Sequence, residues 1–330
     1  MALRVGQILK GARGVYELLY PLKGSTVFKA KVVSSTSLQA DWAVVKTANT
    51  DPEKMCLKRE HRNYKIPAIA SSPHIRAMCD TIHSKEEYDK DEEPSCLVFE
   101  WMNQDLNSVP PPEFRSNPKL PKVVSKAVLS ALDVFKKLDA IHTDISPNNI
   151  YLSNTDGVSP VAKLGDLGNL IRDGSVTERI QCLPCRAPEV WQGHACRHAS
   201  DVWSIGVTLT TKSSPQLLFG EADKIILDHT EAWCIAKMIR LMGGPIGQPV
   251  DNETYQDEFG LAEQLAIMDH PGEDTKLITR DHWRKELENV TDPPVPRDLL
   301  DFIESILVID PEKRPTAAEA LMHPYLQTEA

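Results

Sequence analysis

The sequence lacks the features that mark secreted and membrane-spanning proteins. Its seven cysteines are an odd number scattered along 330 residues, a pattern typical of reduced intracellular thiols rather than of a disulfide framework. No stretch approaches the roughly 18 consecutive apolar residues of a membrane span, and the N-terminal segment MALRVGQILKGARG lacks the apolar core and cleavage site of a signal peptide. We therefore expect an intracellular protein, in the cytoplasm or the nucleus, with no membrane partner.

Positive charge is also scarce. The chain has 37 lysine and arginine residues against 47 aspartate and glutamate residues, which gives a formal net charge of −10. A nucleic-acid-binding surface would have to be a local basic patch that works against this overall field, and the sequence shows no such patch. We therefore expect no nucleic-acid partner. Hydrophobic residues make up 41% of the chain, which is enough to bury a sizeable core.

The segment up to residue 102 predicts a small lobe of antiparallel strands with one helix. Short runs rich in β-branched residues, STVFKAKVV and DWAVVKTA, predict strands joined by turns. The segment PEKMCLKREHRNYKI predicts a helix that starts at Asp51-Pro52, because proline is favoured in a first helical turn. Two more strands are predicted in HIRAMCDTIH and SCLVFEWM, separated by an acidic stretch at residues 84–94 that we expect to be a solvated connection.

Beyond a proline-rich segment at residues 110–121 the pattern becomes helical. In KVVSKAVLSALDVFKKLDA, apolar residues recur at intervals of three and four, so one face of this helix is predicted to be buried. Three later segments also predict helices: SDVWSIGVTLTT, EAWCIAKMIRLMG and RDLLDFIESILV. The whole pattern therefore predicts a small β-rich part followed by a larger helical part.

Motifs with chemically useful side chains follow one another in a fixed order. The first predicted helix of the larger part runs into IHTDISPNNIYL, a polar, turn-prone stretch with the carboxylate of Asp144 and the amide of Asn149. The other motifs are AVVK at residues 43–46, DLG at 166–168, APE at 187–189, SDVWSIG at 200–206 and DPEKRP at 310–315. Each motif alone occurs by chance in unrelated chains, whereas their order and spacing together are specific. On these motifs the chain resembles a eukaryotic protein kinase over residues 15–327.

The resemblance implies an α+β fold of two lobes. A small, mainly antiparallel β lobe with a five-stranded sheet and one helix would span residues 15–102, and a larger, mainly helical lobe would span residues 103–327. Within the larger lobe, Glu189 and Arg314 match a pair that forms a buried salt bridge, and Asp201 matches a residue that anchors the catalytic-loop backbone. These three residues support the fold and do not distinguish an active from an inactive member.

The implied activity is transfer of the γ-phosphate of ATP, with Mg²⁺, to a serine or threonine of a protein substrate. Catalysis of this reaction depends mainly on positioning the reactants and on neutralising the negative charge of the phosphates. By resemblance, Asp144 is the catalytic base, Lys46 contacts the phosphates, and Asn149 and Asp166 hold Mg²⁺ through hard oxygen atoms. Lys46 needs a carboxylate partner on the small-lobe helix, for which Glu60 is the best candidate and Glu53 the alternative.

The segment CLVFEWM, with QDL after it, resembles the hinge of the CMGC group, which contains the cyclin-dependent, MAP and SR-protein kinases. By resemblance, the backbone of Glu100 and Met102 binds adenine and Phe99 lines the back of the pocket. The nucleotide-binding set is completed by Gly24, Val27 and Ala43. DLGN at residues 166–169 and STVF at 25–28 most resemble the SR-protein kinases, which implies a basic or Arg/Ser-rich protein substrate.

The sequence departs from the family at positions that serve the phosphates. Family members have Gly-x-Gly-x-x-Gly, whose backbone N–H groups approach the phosphates closely, whereas LYPLKGS has Tyr20, Leu22 and Ser25 in place of the glycines. Ser146 replaces a lysine that neutralises the γ-phosphate, and Cys182 replaces the threonine that meets this lysine. Thr143 replaces an arginine that pairs with an activating phosphate, so this switch is not expected here.

These departures leave other functions open. The main alternative is a pseudokinase, a catalytically weak or dead binding and scaffolding module. A small-molecule kinase of the aminoglycoside or choline type shares the H-x-D-x-x-x-x-N pattern but not the APE and SDVW motifs. A zinc site is a further alternative, with ligands drawn from Cys182, Cys185, His194, Cys196 and His198. The sequence does not indicate the particular substrate, the pathway or the oligomeric state.

Overall fold

The described chain divides into two compact units. The structure, a computed structural model, describes residues 3–83, 93–155, 157 and 159–328, so most of the acidic stretch predicted to be a solvated connection lies outside the described residues. One unit comprises Met1–Asn103 together with Lys163–Leu170, and the other comprises Gln104–Ala162 together with Ile171–Ala330. The predicted limits of the lobes, 15–102 and 103–327, stay a prediction.

The first unit is built on a six-stranded antiparallel sheet with strand order β1-β2-β3-β4-β6-β5. The strands are β1 (Ile8–Lys10), β2 (Gly14–Lys23), β3 (Val27–Ser35), β4 (Trp42–Thr47), β5 (Met78–Ile82) and β6 (Cys96–Glu100). Five of these strands, β2 to β6, belong to the segment for which five strands were predicted. The additional strand, β1, precedes residue 15 and pairs with β2, with Leu9 opposite Tyr16. Leu9 is its single buried residue, which is too little for a periodic signal in the sequence.

Alternation of side chains gives this sheet two distinct faces. One face forms a hydrophobic core that includes Phe28 and Ala30 of β3 and Ala43 and Val45 of β4. Because neighbouring residues of a strand point to opposite faces, Lys46 lies on the other face. The chemistry of the first unit is therefore found on the face that turns away from this core.

Helix α1 (Asp51–Tyr64) follows β4 and begins where the sequence predicts a helix. Thr50 accepts a hydrogen bond from the backbone N–H of Glu53, and the Glu53 side chain accepts one from the backbone N–H of Thr50. This reciprocal pair is a capping box, which satisfies two backbone donors at the helix start. At the other end of α1, the Tyr64 ring packs edge-on against Phe99, with 5.3 Å between ring centroids. The short helix α2 (Pro67–Ala70) follows.

The second unit is mainly helical. Its helices are α3 (Pro111–Ser116), α4 (Leu120–Lys137), α5 (Pro188–Trp191), α6 (His198–Ser213), α7 (Thr230–Met242), α8 (Glu253–Ile267), α9 (Trp283–Glu288), α10 (Arg297–Ile306), α11 (Ala317–Leu321) and α12 (Pro324–Gln327). The remaining strands of the chain are β7 (Gln104–Asp105), β8 (Ala140–Ile141), β9 (Ile150–Ser153), β10 (Val161–Leu164) and β11 (Ile171–Arg172). Short 3-10 helices cover Pro147–Asn149, Leu167–Asn169 and Leu183–Cys185.

Helices α4 and α6 form much of the interior of the second unit. The predicted apolar face of α4 is buried, including Val124, Val128 and Phe135. Helix α6 is buried along most of its length, and its residues Trp203 and Leu209 have no solvent exposure. Among the helices that the structure describes, none combines the length and the apolar character that crossing a membrane requires.

A buried salt bridge joins α5 to the segment that precedes α11. The guanidinium of Arg314 makes two parallel contacts with Glu189, Nη1 to Oε1 at 2.8 Å and Nη2 to Oε2 at 2.9 Å. This bidentate geometry is the strongest form of arginine–carboxylate contact. Both residues lie in the second unit. A β-rich first unit and a mainly helical second unit confirm the predicted two-lobed α+β fold.

Candidate active site

Lys46 lies near the end of β4 and makes two carboxylate contacts. Its Nζ is 2.8 Å from Oε2 of Glu60 and 2.9 Å from Oδ1 of Asp166. All three residues belong to the first unit. Burial alone would lower the pKa of Lys46, but the two negative charges raise it above its ordinary value. The ammonium group therefore stays charged between two acids.

Glu60 connects this lysine to the DLG motif. Its side chain is 2% exposed, and its Oε1 accepts a hydrogen bond of 3.2 Å from the backbone N–H of Leu167. On the same helix, Asn63 Nδ2 donates to the carbonyl of Leu167 at 2.8 Å. Two side chains of α1, Glu60 and Asn63, therefore hold the backbone of the DLG motif by hydrogen bonds.

The structure also separates the two candidate partners of Lys46. Glu60 makes the ion pair, whereas Glu53 caps α1 through hydrogen bonds from the backbone N–H groups of Asn49 and Thr50, at 2.8 and 2.9 Å. Glu53 is therefore engaged at the helix start.

Asp166 has a left-handed backbone conformation with φ 58° and ψ 69°. This conformation is uncommon for residues other than glycine and occurs often at functional sites.

The segment predicted to cover the phosphates is the hairpin between β2 and β3. Gly24 at its turn has φ 53°, a conformation that glycine adopts without steric cost. Tyr20 and Leu22 project from β2 and are 48% and 44% exposed. Asn49 Nδ2 donates to the Ser25 hydroxyl at 2.9 Å. All three positions that have glycine in the family thus have a side chain here, which narrows the space for a backbone cradle.

The residues predicted to contact adenine lie around the end of β6. Phe99 and Met102 are buried. Glu100 is held firmly: its backbone N–H donates to the carbonyl of Ala77 at 3.0 Å. Its carboxylate accepts from Lys163 Nζ at 2.7 and 2.9 Å. The backbone of this segment is therefore well ordered by hydrogen bonds.

The two aliphatic residues predicted to contact the nucleotide lie on different faces of the sheet. Val27 is paired with Lys46 across β3 and β4 and belongs to the face that carries the lysine. Ala43 lies in the core on the opposite face, so its predicted placement at the nucleotide is wrong. Val44, which is paired with Phe99, lies on the face of Lys46 instead. Strict alternation counted back from Lys46 would have identified Val44 in the sequence.

Sequence reasoning missed two cations on this unit. Arg76, just before β5, is buried and donates from Nε and Nη2 to the carbonyl oxygen of Glu100 at 3.0 and 2.8 Å. Lys29 of β3 lies over the rings of Trp42 and Trp101, with Nζ 4.5 and 4.3 Å from the ring centroids. No sequence signal marked either residue, because each lies in a run that predicts an ordinary strand.

The second unit contains the catalytic-loop residues. Asn149 Nδ2 donates to the main-chain oxygen of Asp144 at 2.8 Å and to its Oδ2 at 2.9 Å. Asp201 is buried and accepts the backbone N–H groups of His142 and Thr143 at 2.6 and 3.0 Å. The anchoring contact that the resemblance implies for Asp201 is therefore present, and the loop that carries Asp144 is held at both ends.

Ser146 and Cys182 also belong to the second unit. Ser146 is nearly buried. Cys182 and Cys185 lie on one 3-10 turn, and a hydrogen bond between their thiols lowers the pKa of Cys182, while burial and the charge of Asp144 act in the opposite direction. The same hydrogen bond raises the pKa of Cys185. Cys182 is therefore the sulfur that holds negative charge most readily in this pair.

The residues considered for a zinc site do not come together as a ligand set. Among the described residues, the cluster with metal-ligand spacing is a different one, formed by Asp139, Asp173 and His198. Only His198 belongs to the five residues that the sequence offered. Two carboxylates and a histidine at a partly exposed position are common without a bound ion.

The predicted magnesium ligands have suitable chemistry. Mg²⁺ prefers hard oxygen donors and uses few protein ligands. Asp166 supplies a carboxylate next to Lys46. Because the Nδ2 group of Asn149 is engaged with Asp144, the amide oxygen is the atom that Asn149 would offer to a cation. Each side chain therefore offers an oxygen donor of the kind that Mg²⁺ prefers, and the lysine ammonium fits phosphate oxygens.

Comparison with known proteins assigns the family. Residues 23–326 match the protein kinase domain. The chain is 25% identical to the serine/threonine-protein kinase prpf4B of Dictyostelium discoideum, over 98% of this chain and 40% of that protein. It is 27% identical to the cyclin-dependent kinase C-2 C of Arabidopsis thaliana, over 92% of this chain and 43% of that protein.

A third relative supports the same grouping. The mitogen-activated protein kinase 4a of Physcomitrium patens is 25% identical, over 86% of this chain and 69% of that protein. The chain thus spans less than half the length of the first two relatives. The finer likeness to the SR-protein kinases stays a prediction. Because the domain match covers residues 23–326 and the relatives are prpf4B, cyclin-dependent and mitogen-activated kinases, the chain belongs to the protein kinase domain family and is CMGC-like.

Proposed function

We propose that this chain transfers the γ-phosphate of ATP, in the presence of Mg²⁺, to a serine or threonine hydroxyl of a protein substrate. The observation that carries the proposal is the pair of contacts from Lys46 Nζ to Glu60 and Asp166, at 2.8 and 2.9 Å. A lysine held between two acids is charged and positioned for phosphate oxygens. Asp144 and Asn149 add a carboxylate and an amide on one ordered loop.

Each residue has a separate role in this reaction. Asp166 and Asn149 would hold Mg²⁺, which would supply positive charge against the phosphates. Lys46 contacts the phosphates, and Glu60 keeps the lysine in place. Asp144 orients the substrate hydroxyl and takes its proton, while the hydrogen bond from Asn149 Nδ2 fixes the direction of the Asp144 carboxylate.

The departures from the family pattern make this a slow enzyme. Without a lysine at Ser146, one positive charge near the γ-phosphate is missing. Removing one such stabilising group typically lowers the rate by about 10²-fold or more. Tyr20 and Leu22 further weaken phosphate binding, because their side chains occupy positions where the family has glycine.

The proposed substrate is a basic protein, with Arg/Ser-rich segments as the preferred type. The net charge of −10 attracts positively charged partners over a distance. The proposed location is intracellular, in the cytoplasm or the nucleus, and the free cysteines support it.

The test compares the wild-type chain with Asp144→Asn on an Arg/Ser-rich protein and MgATP. We expect phosphate incorporation by the wild type and none by Asp144→Asn. The matched control is Asp133→Asn, which changes an aspartate of α4 whose ion pair with Lys137 is on the surface, and this variant should keep full activity. Equal incorporation by the wild type and Asp144→Asn would refute the proposal.

The second candidate function is a pseudokinase that acts as a binding module. The observations that favour it are Tyr20 and Leu22 in the phosphate-covering hairpin, together with Ser146. Thermal-shift titration separates the candidates, because a ligand that binds only the folded state raises stability by RT ln(1 + [L]/Kd). No thermal shift with millimolar MgATP would favour the binding module.

A further inference from the structure

Arg76 contacts residues that the proposed function places around the nucleobase. Arg76 is 7% exposed. Two of its guanidinium nitrogens, Nε and Nη2, donate to the carbonyl oxygen of Glu100 at 3.0 and 2.8 Å. The guanidinium carbon lies 5.6 Å from the ring centroid of Phe99. Glu100 and Phe99 are two of the three residues expected to surround adenine, and Arg76 contacts both.

The backbone of Glu100 has one group with which to recognise a base. Its N–H is used within the sheet, where it donates to the carbonyl of Ala77 at 3.0 Å. The carbonyl oxygen is therefore the only backbone atom of Glu100 that adenine could contact. That contact would use the 6-amino group, which is the hydrogen-bond donor on the edge of adenine. In this chain the same oxygen already accepts two N–H groups from Arg76.

A donor on the base therefore meets donors on the protein. The amino group of adenine would approach a guanidinium, and because the Glu100 carbonyl already accepts two N–H groups from Arg76, the amino group would lack an acceptor, which is costly in a buried site. Guanine has a carbonyl oxygen at the same ring position. This oxygen needs no acceptor on the protein and would face the positive charge of Arg76, so it would not compete with Arg76 for the Glu100 carbonyl.

The guanidinium is held where it lies. A buried cation is unfavourable unless it is paired and hydrogen-bonded, and here the Glu100 carbonyl and the Phe99 ring satisfy it on two sides. The backbone before β5 is also fixed, since the N–H of Arg76 donates to the carbonyl of Leu164 at 2.8 Å. Glu100 is also held in position, because its carboxylate forms an ion pair with Lys163.

We infer that Arg76 sets the nucleobase specificity of this chain, disfavouring adenine and admitting a purine with a carbonyl oxygen in place of the amino group. The inference rests on the proposed function, because it takes Glu100 and Phe99 as nucleobase contacts. It concerns binding of the base and not the transfer of phosphate.

The test measures the dissociation constants of MgATP and MgGTP by calorimetry on the full chain. Arg76→Met keeps the length of the side chain and removes the donors. We expect ATP to bind about tenfold more tightly to Arg76→Met than to the wild type, and GTP to bind more weakly, since hydrogen bonds to a charged group are gained or lost. Arg13→Met, which removes an exposed arginine of the same unit, should leave both constants unchanged.

Two measurements keep the result interpretable. Thermal unfolding shows whether Arg76→Met is folded, and Arg76→Lys provides a second variant that keeps the charge but loses the fork. We expect the lysine variant to move the ATP-to-GTP ratio in the same direction by a smaller factor. A folded Arg76→Met or Arg76→Lys with the wild-type ratio, or with no binding of either nucleotide, would overturn the inference.

The outcomes also distinguish this inference from the proposed function. A shifted ratio in a chain that transfers no phosphate refutes the kinase reaction and leaves the role of Arg76 intact. Phosphate transfer from ATP with an unchanged ratio refutes the role of Arg76 and leaves the reaction intact. Binding to Asp144→Asn should match the wild type, because that carboxylate is not assigned to the base.

Discussion

Lys46 and Glu60 form an ion pair of 2.8 Å, and the second oxygen of the same carboxylate accepts the backbone N–H of Leu167. A single side chain on α1 therefore fixes both the strand lysine and the metal motif. Because Asp166 precedes Leu167 and contacts Lys46 as well, the three groups form a closed set of contacts. A displacement of α1 would disturb Lys46 and Asp166, the predicted metal ligand, together.

Replacing Glu60 with glutamine should therefore harm both stability and activity. The amide keeps the shape of the side chain but leaves Lys46 with one carboxylate instead of two. Breaking a buried charge pair costs about 3 to 5 kcal/mol of unfolding free energy, and we expect the lower end because Lys46 is 24% exposed and keeps Asp166. Urea unfolding measures the stability, and phosphate incorporation measures the rate, which should fall about 10²-fold.

The control for this change is Glu53→Gln. Glu53 lies on the same helix but caps its first turn and does not form the ion pair with Lys46. We expect a small loss of stability and an unchanged rate. If Glu53→Gln slowed phosphate transfer as much as Glu60→Gln, the ion pair would not be the reason for the effect.

The residues Glu189 and Arg314 of the second unit should contribute to stability as a coupled pair. Arg314→Met leaves the buried carboxylate without its partner, so the free energy of unfolding should drop by about 3 to 5 kcal/mol. The double variant Glu189→Leu/Arg314→Met removes both charges and should lose less than the sum of the two single changes. Additive losses in urea unfolding would show that the two residues act independently.

The sequence predicted the contacts that depend on motif residues. Lys46 with Glu60, Asp201 with the loop of Asp144, and Glu189 with Arg314 were all expected, and each pair is in contact. These residues are identified by type and order, which a sequence displays directly. The helix α1 was found for a similar reason, since proline and an acidic first turn mark a helix start locally.

The sequence did not predict features that depend on which face a residue occupies or on distant partners. Ala43 was placed at the nucleotide, but alternation puts it in the core and Val44 on the face of Lys46. Arg76 is a charged residue in a strand-like run, which normally indicates exposure. Its burial depends on the carbonyl of Glu100, which is close only after the chain has folded.

Ser146→Lys should increase the rate if the missing charge limits phosphate transfer. We combine it with Cys182→Thr, because the resemblance pairs the lysine with a threonine at that position. The added ammonium should raise the rate by about 10²-fold, since it stabilises negative charge that develops on the phosphate. Ser146→Met with Cys182→Thr has a side chain of similar length without charge and should show no increase. Equal rates for the lysine and methionine variants would contradict this explanation.

Cys182 should be alkylated at a lower pH than Cys79. The hydrogen bond from Cys185 lowers the pKa of Cys182 below the ordinary thiol value of 9.0, whereas burial raises the pKa of Cys79 to about 11, with a further contribution from the charge of Glu100. The thiolate is the reactive form, so the reaction of Cys182 with iodoacetamide should reach half its maximum rate below pH 9.0. Mass spectrometry of modified peptides measures each site.

The matched variant for this prediction is Cys185→Ala, which removes the hydrogen-bond donor and keeps Cys182. Without that donor, burial and the negative charge of Asp144 remain, and both raise the pKa of the thiol. The alkylation profile of Cys182 should therefore move to higher pH in Cys185→Ala, while that of Cys79 stays in place. An unchanged profile for Cys182 would mean that the hydrogen bond from Cys185 does not stabilise its thiolate.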